Sequence, residues 1–133
     1  MADVLVDSTV LIDVIGEDDE WLDWSAWMLE EAGTAGRLFI NPIIYAEISV
    51  RVDAMEELDN DLEQFVMRRP LPWDAAFLAG KCFERYRRAG GARTAPLPDF
   101  FIGAHAAVEN LTLLTRAPRR FRSYFPKLRI IAP

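Results

Sequence analysis

Four short apolar runs constrain this chain more than any other feature: "DVLVD" (Asp3 to Asp7), "RLFIN", "LTLLT" and "LRII", each set off by a helix-length segment. Antiparallel neighbours can be joined by a two-residue turn, whereas parallel strands need a long crossover, usually helical. No hairpin dipeptide joins any two of these runs. The pattern therefore predicts an α/β fold with a central parallel sheet covered on both faces, its strands apolar throughout because both faces are buried. In open sheets of this kind ligands bind beyond the carboxyl ends of the strands. That directs attention to Asp7 and to whatever follows Thr115.

The intervening segments read as helices. "STVLIDVI" starts with Ser8 or Thr9 as a natural N-terminal cap. A helix from about Glu20 to Ala35 sets Trp21, Trp24, Trp27 and Met28 on one stripe, and Gly33 and Gly36 end it. These indoles suit core or interface packing better than base stacking. Pro42 opens a helix through about Val52. "DAMEELDNDLEQFVMRR" reads as one further helix with an acidic outer face, stopped by Pro70 and Pro72. Asp74 is placed to cap the next, in which Ala75, Leu78, Ala79, Cys82 and Tyr86 share a face until "AGGARTAP" breaks it. Pro98 starts "DFFIGAHAAVEN", where Gly103 and Ala107 allow close packing on a sheet, and "RRFRSYF" makes a short helix before the last strand.

At 133 residues the length fits one domain, 1–133, able to bury roughly two thirds of its unfolded surface. One cysteine, Cys82, excludes an internal disulfide, and one Cys with one His, His105, excludes a zinc cage. No basic leader precedes an apolar segment, and no apolar run approaches the roughly 18 to 20 residues that span a bilayer. The expectation is a soluble, cytoplasmic protein with no membrane partner. The net charge of −6 argues against a nucleic-acid partner until its distribution is read. Residues 1–80 carry 18 acidic and 4 basic side chains, residues 81–133 only 3 acidic and 11 basic. Such asymmetry points to a polyanion-facing surface, although runs like "ERYRR" and "RRFRSY" are equally the solvated faces of helices.

Three carboxylates stand at the places where chemistry is expected. Asp7 ends the first strand; Glu47 shares a helix face with Ile43, Ala46 and Val50; Asp99 follows Pro98 at the start of a very apolar helix. Each has a plain alternative. Asp7 and Asp99 could be caps, and Glu47 could snorkel to solvent. Three acids converging at one sheet edge would instead repel one another unless a divalent cation held them, and oxygen ligands without His or Cys indicate Mg²⁺ or Mn²⁺.

"VLVDSTVLID", the acid in "NPIIYAEIS", "PLPDFFIGAHA" and the "LLTR" segment with "RRFRSYFPKLRII" resemble, in order and over essentially the whole chain, the PIN-domain ribonucleases, specifically the VapC-type toxins of bacterial toxin–antitoxin pairs. The resemblance implies a PIN-like three-layer α/β/α fold, Mg²⁺- or Mn²⁺-dependent cleavage of RNA, a homodimer and a cognate antitoxin. Carried over by position, Asp7, Glu47 and Asp99 match catalytic and metal-binding acids, Ser8 and Thr9 the small polar residues after the first acid, and Thr115 the hydroxyl before the last acid. That last acid normally follows "TR", where this chain has Ala117. Either the chain is a binding module that has lost a ligand, or an Asp→Ala change has disabled a nuclease; the intact flanks "LLTR" and "PRRF" favour the second.

With an acid at 117, the implied mechanism is metal-assisted attack of water on phosphorus. Arg93, Arg116, Arg119 and Arg120 would hold the RNA backbone, and Trp21, Trp24 and Trp27 would line a groove for an apolar antitoxin segment. A metal-free ribonuclease needing two imidazoles is excluded by the sole His105, which is expected to pack or bond on its own helix. A haloacid-type phosphatase expects a second Asp two residues after Asp7, where Thr9 stands, and no phosphate-binding G-x-x-x-x-G-K-[ST] loop is present.

Overall fold

The computed structural model describes residues 3–94 and 97–133, so the last two residues of the "AGGARTAP" break lie outside the described residues, as do Met1 and Ala2 at the expected leaderless N-terminus. The described residues form β1 (Val4–Val6), α1 (Ser8–Ile15), α2 (Leu22–Ala35), β2 (Leu38–Ile40), α3 (Pro42–Ser49) and α4 (Met55–Glu63). They continue through β3 (Met67–Arg68), α5 (Trp73–Arg88), α6 (Pro98–Val108), β4 (Thr112–Leu114), α7 (Arg119–Arg122) and β5 (Ile130–Ile131). All pairings are parallel, in the order β3-β2-β1-β4-β5, with Val4 beside Leu38 on one side and Thr112 on the other. The predicted three-layer α/β/α arrangement is what forms.

Burial explains why the strands read as unbroken apolar runs. Val4, Leu5, Val6, Leu38, Phe39, Ile40, Leu113 and Leu114 are all buried, because helices cover both faces of the sheet. The very apolar α6 is sandwiched. Ile102 and Ala106 join the main core with the sheet, while Phe100 and Ala104 face α5 in a second cluster with Ala75, Ala79 and Cys82. A helix buried on two sides has no polar face to show, which is why its sequence carries no clear amphipathic pattern.

Several local expectations are corrected. The acidic helix stops at Glu63, and Met67–Arg68 form an edge strand against Phe39–Ile40. Both residues of that strand are exposed, so no burial alternation marked it. The helix from Pro42 ends at Ser49, three residues early. Its buried face is Ile44 and Ile48, whereas Ala46 and Val50 are exposed, so Glu47 flanks the core rather than interrupting it. Trp73, not Asp74, opens α5, leaving Asp74 in the first turn. Gly103 does permit a close approach, though to Phe125: a Cβ there would stand 2.4 Å from the ring. Ala107 is exposed.

Candidate functional site

The strand order reverses at β1, which has β2 on one side and β4 on the other. At the carboxyl ends of β1 and β4 two helical connections leave in opposite directions, the usual ligand position in such sheets. Asp7 and Thr115 are the first residues beyond those two ends. The Asp7 amide donates to the Leu114 carbonyl at 2.9 Å, so the tips stay joined past the strands themselves.

Asp7 occupies the cap position of α1 with extended backbone (φ −65°, ψ 150°), yet its side chain makes no capping hydrogen bond. The expected caps, Ser8 and Thr9, lie inside the helix and are used otherwise. Thr9 Oγ1 donates to Asp7 Oδ2 at 3.0 Å and Thr115 Oγ1 donates to the same oxygen at 2.7 Å. Ser8 Oγ donates to Glu47 Oε1 at 2.9 Å, drawing α3 to the site. Asp7 is only 1% exposed, and a buried carboxylate without a cap to serve is held here by two hydroxyls that orient it.

Glu47 and Asp99 complete the acidic group. Burial pushes the Glu47 carboxyl above its usual range; the Ser8 hydroxyl works against that, the charges of Asp7 and Asp99 add to it, and Arg120 opposes it. Asp99 is likewise raised by burial and by Asp7, against the pull of Arg120. Like-charge coupling among all three places them in one electrostatic neighbourhood, from β1, α3 and α6. Asp99 lies in the first turn of α6, where the helix dipole favours an acid, and Leu97 holds the cap position.

The donor chemistry fits a hard divalent cation: carboxylate oxygens, neighbouring hydroxyls, and neither of the chain's two softer ligands, since His105 and Cys82 are engaged elsewhere. Among the described residues, however, no three of His, Cys, Asp or Glu stand close enough together to hold an ion. The donor types suit Mg²⁺, which keeps part of its water shell and needs few protein ligands, but their spacing forms no ready-made cage. Position 117 lies on the turn just after Thr115, which bonds Asp7. The Ala117 amide donates to Thr115 Oγ1 at 3.0 Å, one hydrogen bond away from Asp7.

The basic residues divide. Arg119 and Arg120 are exposed on α7, Arg120 near enough to lower the two raised carboxyls, and Arg93 is exposed on the loop after α5. Arg116 is different. Its Nε and Nη2 donate to both oxygens of Asp13 at 2.7 and 2.9 Å, its guanidinium lies 5.2 Å from the Trp21 ring centroid, and its amide donates to Thr9 Oγ1 at 3.1 Å. Hydrogen bonding to Asp13 raises its pKa further. Arg116 therefore anchors the turn that carries position 117 instead of standing free for a phosphate.

Asp13 is a further buried acid that the sequence reading does not single out. It is 1% exposed, bonded to Arg116 and to Ser25 Oγ at 2.7 Å. The signal was present: an acid inside "VLIDVI" needs a buried partner, by the same logic applied to Glu47. Of the indoles, Trp21 and Trp24 meet edge to face at 6.1 Å and are partly buried, while Trp27 is 58% exposed. His105 is buried and bonds Glu109, the residue that closes its helix, and it also reaches Asn41.

Comparison with known proteins agrees with this geometry. The family model described as PIN domain matches residues 4–124. A search of curated proteins finds no match. Among solved structures, the chain is similar to VapBC2 from Rickettsia felis bound to a DNA fragment from its promoter, with 18% identity, TM-score 0.74 and 98% of each chain covered. It is similar to VapBC-1 from nontypeable Haemophilus influenzae at 17% identity and TM-score 0.71, covering 98% of this chain and 97% of that one. The DNA-bound VapBC of Salmonella typhimurium gives 21% identity and TM-score 0.68, over 99% and 98%.

Proposed function

The chain belongs to the PIN domain family, and on that premise we propose that it is a VapC-type toxin, an endoribonuclease whose site lacks one acidic side chain at position 117. What supports this reading is the electrostatic coupling of three acids from separate elements: the charges of Asp7 and Asp99 raise Glu47, and that of Asp7 raises Asp99, with Asp7 at the sheet's switch point. The Asp7 side chain makes no capping hydrogen bond although it stands at the cap position, and Asp99 stands in the first turn of α6 behind the cap residue Leu97. PIN domains of VapC toxins are generally nucleases.

In this reading Asp7, Glu47 and Asp99 hold Mg²⁺ or Mn²⁺. Such an ion supplies Lewis acidity that makes water nucleophilic near neutral pH and offsets charge developing on a phosphoryl group. The chain's own residues do the positioning. Thr9 and Thr115 fix the Asp7 carboxylate, Ser8 orients Glu47, and Arg120, with Arg93 and Arg119, draws the RNA backbone over the acids. An acid at 117 would orient the attacking water from the turn anchored by Arg116. The products would carry 5′-phosphate and 3′-hydroxyl ends.

The proposed partners are RNA, a second copy of the chain in a homodimer, and an antitoxin whose apolar segment lies along α2 at Trp21, Trp24 and Trp27 in a cytoplasmic complex. The similarity to VapBC structures and to a toxin–antitoxin complex from Klebsiella pneumoniae supports the antitoxin. Among the described residues no helix is long and apolar enough to cross a membrane. One observation favours a second reading: with Ala117 the acidic set is open, which suits a non-catalytic PIN module that binds antitoxin or RNA. Mn²⁺ titration tests the metal site directly. Binding that disappears in Asp7→Asn is expected; undiminished binding in that variant would locate the ion elsewhere.

A further inference from the structure

The buried hydrogen bond between α3 and α6 joins the two helices that carry Glu47 and Asp99. Asn41 ends β2 and caps α3: its Oδ1 accepts from the Ile44 amide at 2.9 Å. That fixes the amide orientation, so Asn41 Nδ2 must be the donor to His105 Nδ1, 2.9 Å away. Nδ1 is then unprotonated, and the ring proton sits on Nε2, which donates to Glu109 Oε1 at 2.7 Å. Glu109 is held in turn by Arg69 Nη1 at 3.0 Å. His105 is 0% exposed, and burial holds its pKa below the usual value against the opposing pull of Glu109, which keeps the acceptor nitrogen free.

The geometry points to His105 as a positioning residue: through Asn41 it fixes the start of α3 against the middle of α6, and so sets how Glu47 and Asp99 face one another. The inference rests on the nuclease reading only in treating those two carboxylates as functional. An apolar side chain could fill the same volume, but it would leave the buried Asn41 amide without an acceptor. What the imidazole supplies is direction: one acceptor aimed at the α3 cap, one donor aimed at the end of its own helix. Glu47 lies six residues beyond the capped end and Asp99 six residues before His105, so a small rotation at the junction moves both carboxylates.

The two halves of the imidazole can be separated by substitution. In His105→Asn the side-chain oxygen stands where Nδ1 is and keeps the bond from Asn41. In His105→Gln the side-chain nitrogen stands where Nε2 is and keeps the bond to Glu109, while the acceptor for Asn41 is lost. The readout is the side-chain carboxyl ¹³C resonances of Glu47 and Asp99 in the full chain at fixed pH, with melting temperature alongside and Mn²⁺ affinity as a third measurement. Both resonances are expected to move in His105→Gln and to stay at their wild-type positions in His105→Asn, with Mn²⁺ affinity down about tenfold or more in the Gln variant alone. Unmoved resonances in His105→Gln would overturn the inference, and so would equal displacement in both variants, which would reduce His105 to a packing role. Failure of wild-type Mn²⁺ binding would strike the metal reading and leave the resonance test to decide the positioning role by itself.

Discussion

Removing the Arg116 side chain is a demanding test of how the turn before position 117 is built. Asp13 is almost fully buried, and its two oxygens take three hydrogen bonds: two from Arg116 and one from Ser25. Arg116→Ala would leave that carboxylate in place with only the Ser25 hydroxyl. Breaking one side of a buried pair typically costs about 3–5 kcal/mol, because a charge is left without compensation. Arg116 keeps 29% of its side chain exposed, so water reaches part of the vacated space and the lower end, about 3 kcal/mol, is the better figure. For a chain of this size that lowers the melting temperature by roughly 9–15 °C.

Asp13→Ala together with Arg116→Ala should cost less than the sum of the two single changes, with a coupling of about 2 kcal/mol. Arg119→Ala, on an exposed surface position, should stay within about 0.5 kcal/mol of wild type. The assay is urea unfolding of the four variants, with unchanged slopes as a check on two-state behaviour. A loss under about 0.5 kcal/mol for Arg116→Ala, or additive behaviour in the double variant, would refute the anchoring role and return Arg116 to the set of free cations.

Glu47 and Asp99 titrate above their ordinary range, so the folded chain still holds protons that the unfolded chain has already released. Stability contributed by the acidic group therefore falls as pH rises from the ordinary carboxylate values through the raised ones. Asp99→Asn should raise the melting temperature at pH 7 and flatten that slope; a drop at pH 7 would contradict the repulsion. Arg120→Ala should leave stability nearly unchanged, weaken RNA binding and reduce the magnitude of its salt slope by about 1, read by titration at several ionic strengths. Trp24→Ala should weaken antitoxin binding measured by calorimetry, and unchanged affinity would remove α2 from that interface. Gly103→Ala should cost about 1–3 kcal/mol in a thermal melt, since Phe125 is buried and has little room to yield.

What could be read from the sequence was whatever a short segment determines alone. Three-residue strands with two buried faces announce themselves as apolar runs, and the acid at the tip of β1 and the proline-led start of α6 place Asp7 and Asp99 without tertiary information. For Glu47 the sequence reading rests on a stripe that is partly exposed in the fold; the side chain flanks Ile44 and Ile48 and meets Ser8. Pairings between distant residues were not legible. Nothing local distinguishes Arg116, whose partner is 103 residues away, from Arg119 and Arg120, which face solvent. The hydroxyls show the same limit: Ser8 and Thr9 have good capping chemistry, but tertiary bonds to Glu47 and Asp7 claim both side chains. The edge strand at Met67–Arg68 is defined only by its neighbour β2.

The central claim is that an acidic site on this PIN fold lacks one carboxylate at position 117, and restoring it is the direct measurement. In Ala117→Asp the added oxygen would hang from a residue whose amide is already tied to Thr115, which is bonded to Asp7. The restored chain should bind Mn²⁺ more tightly and cleave RNA roughly 10²–10³-fold faster than the chain with Ala117, as expected for one aligned group in a transition state. Produced in cells without antitoxin, it should arrest growth, and adding Asp7→Asn should relieve the arrest. If the restored and unrestored chains are equally harmless and neither cleaves RNA in Mn²⁺, the nuclease account is wrong and the fold serves as a binding module.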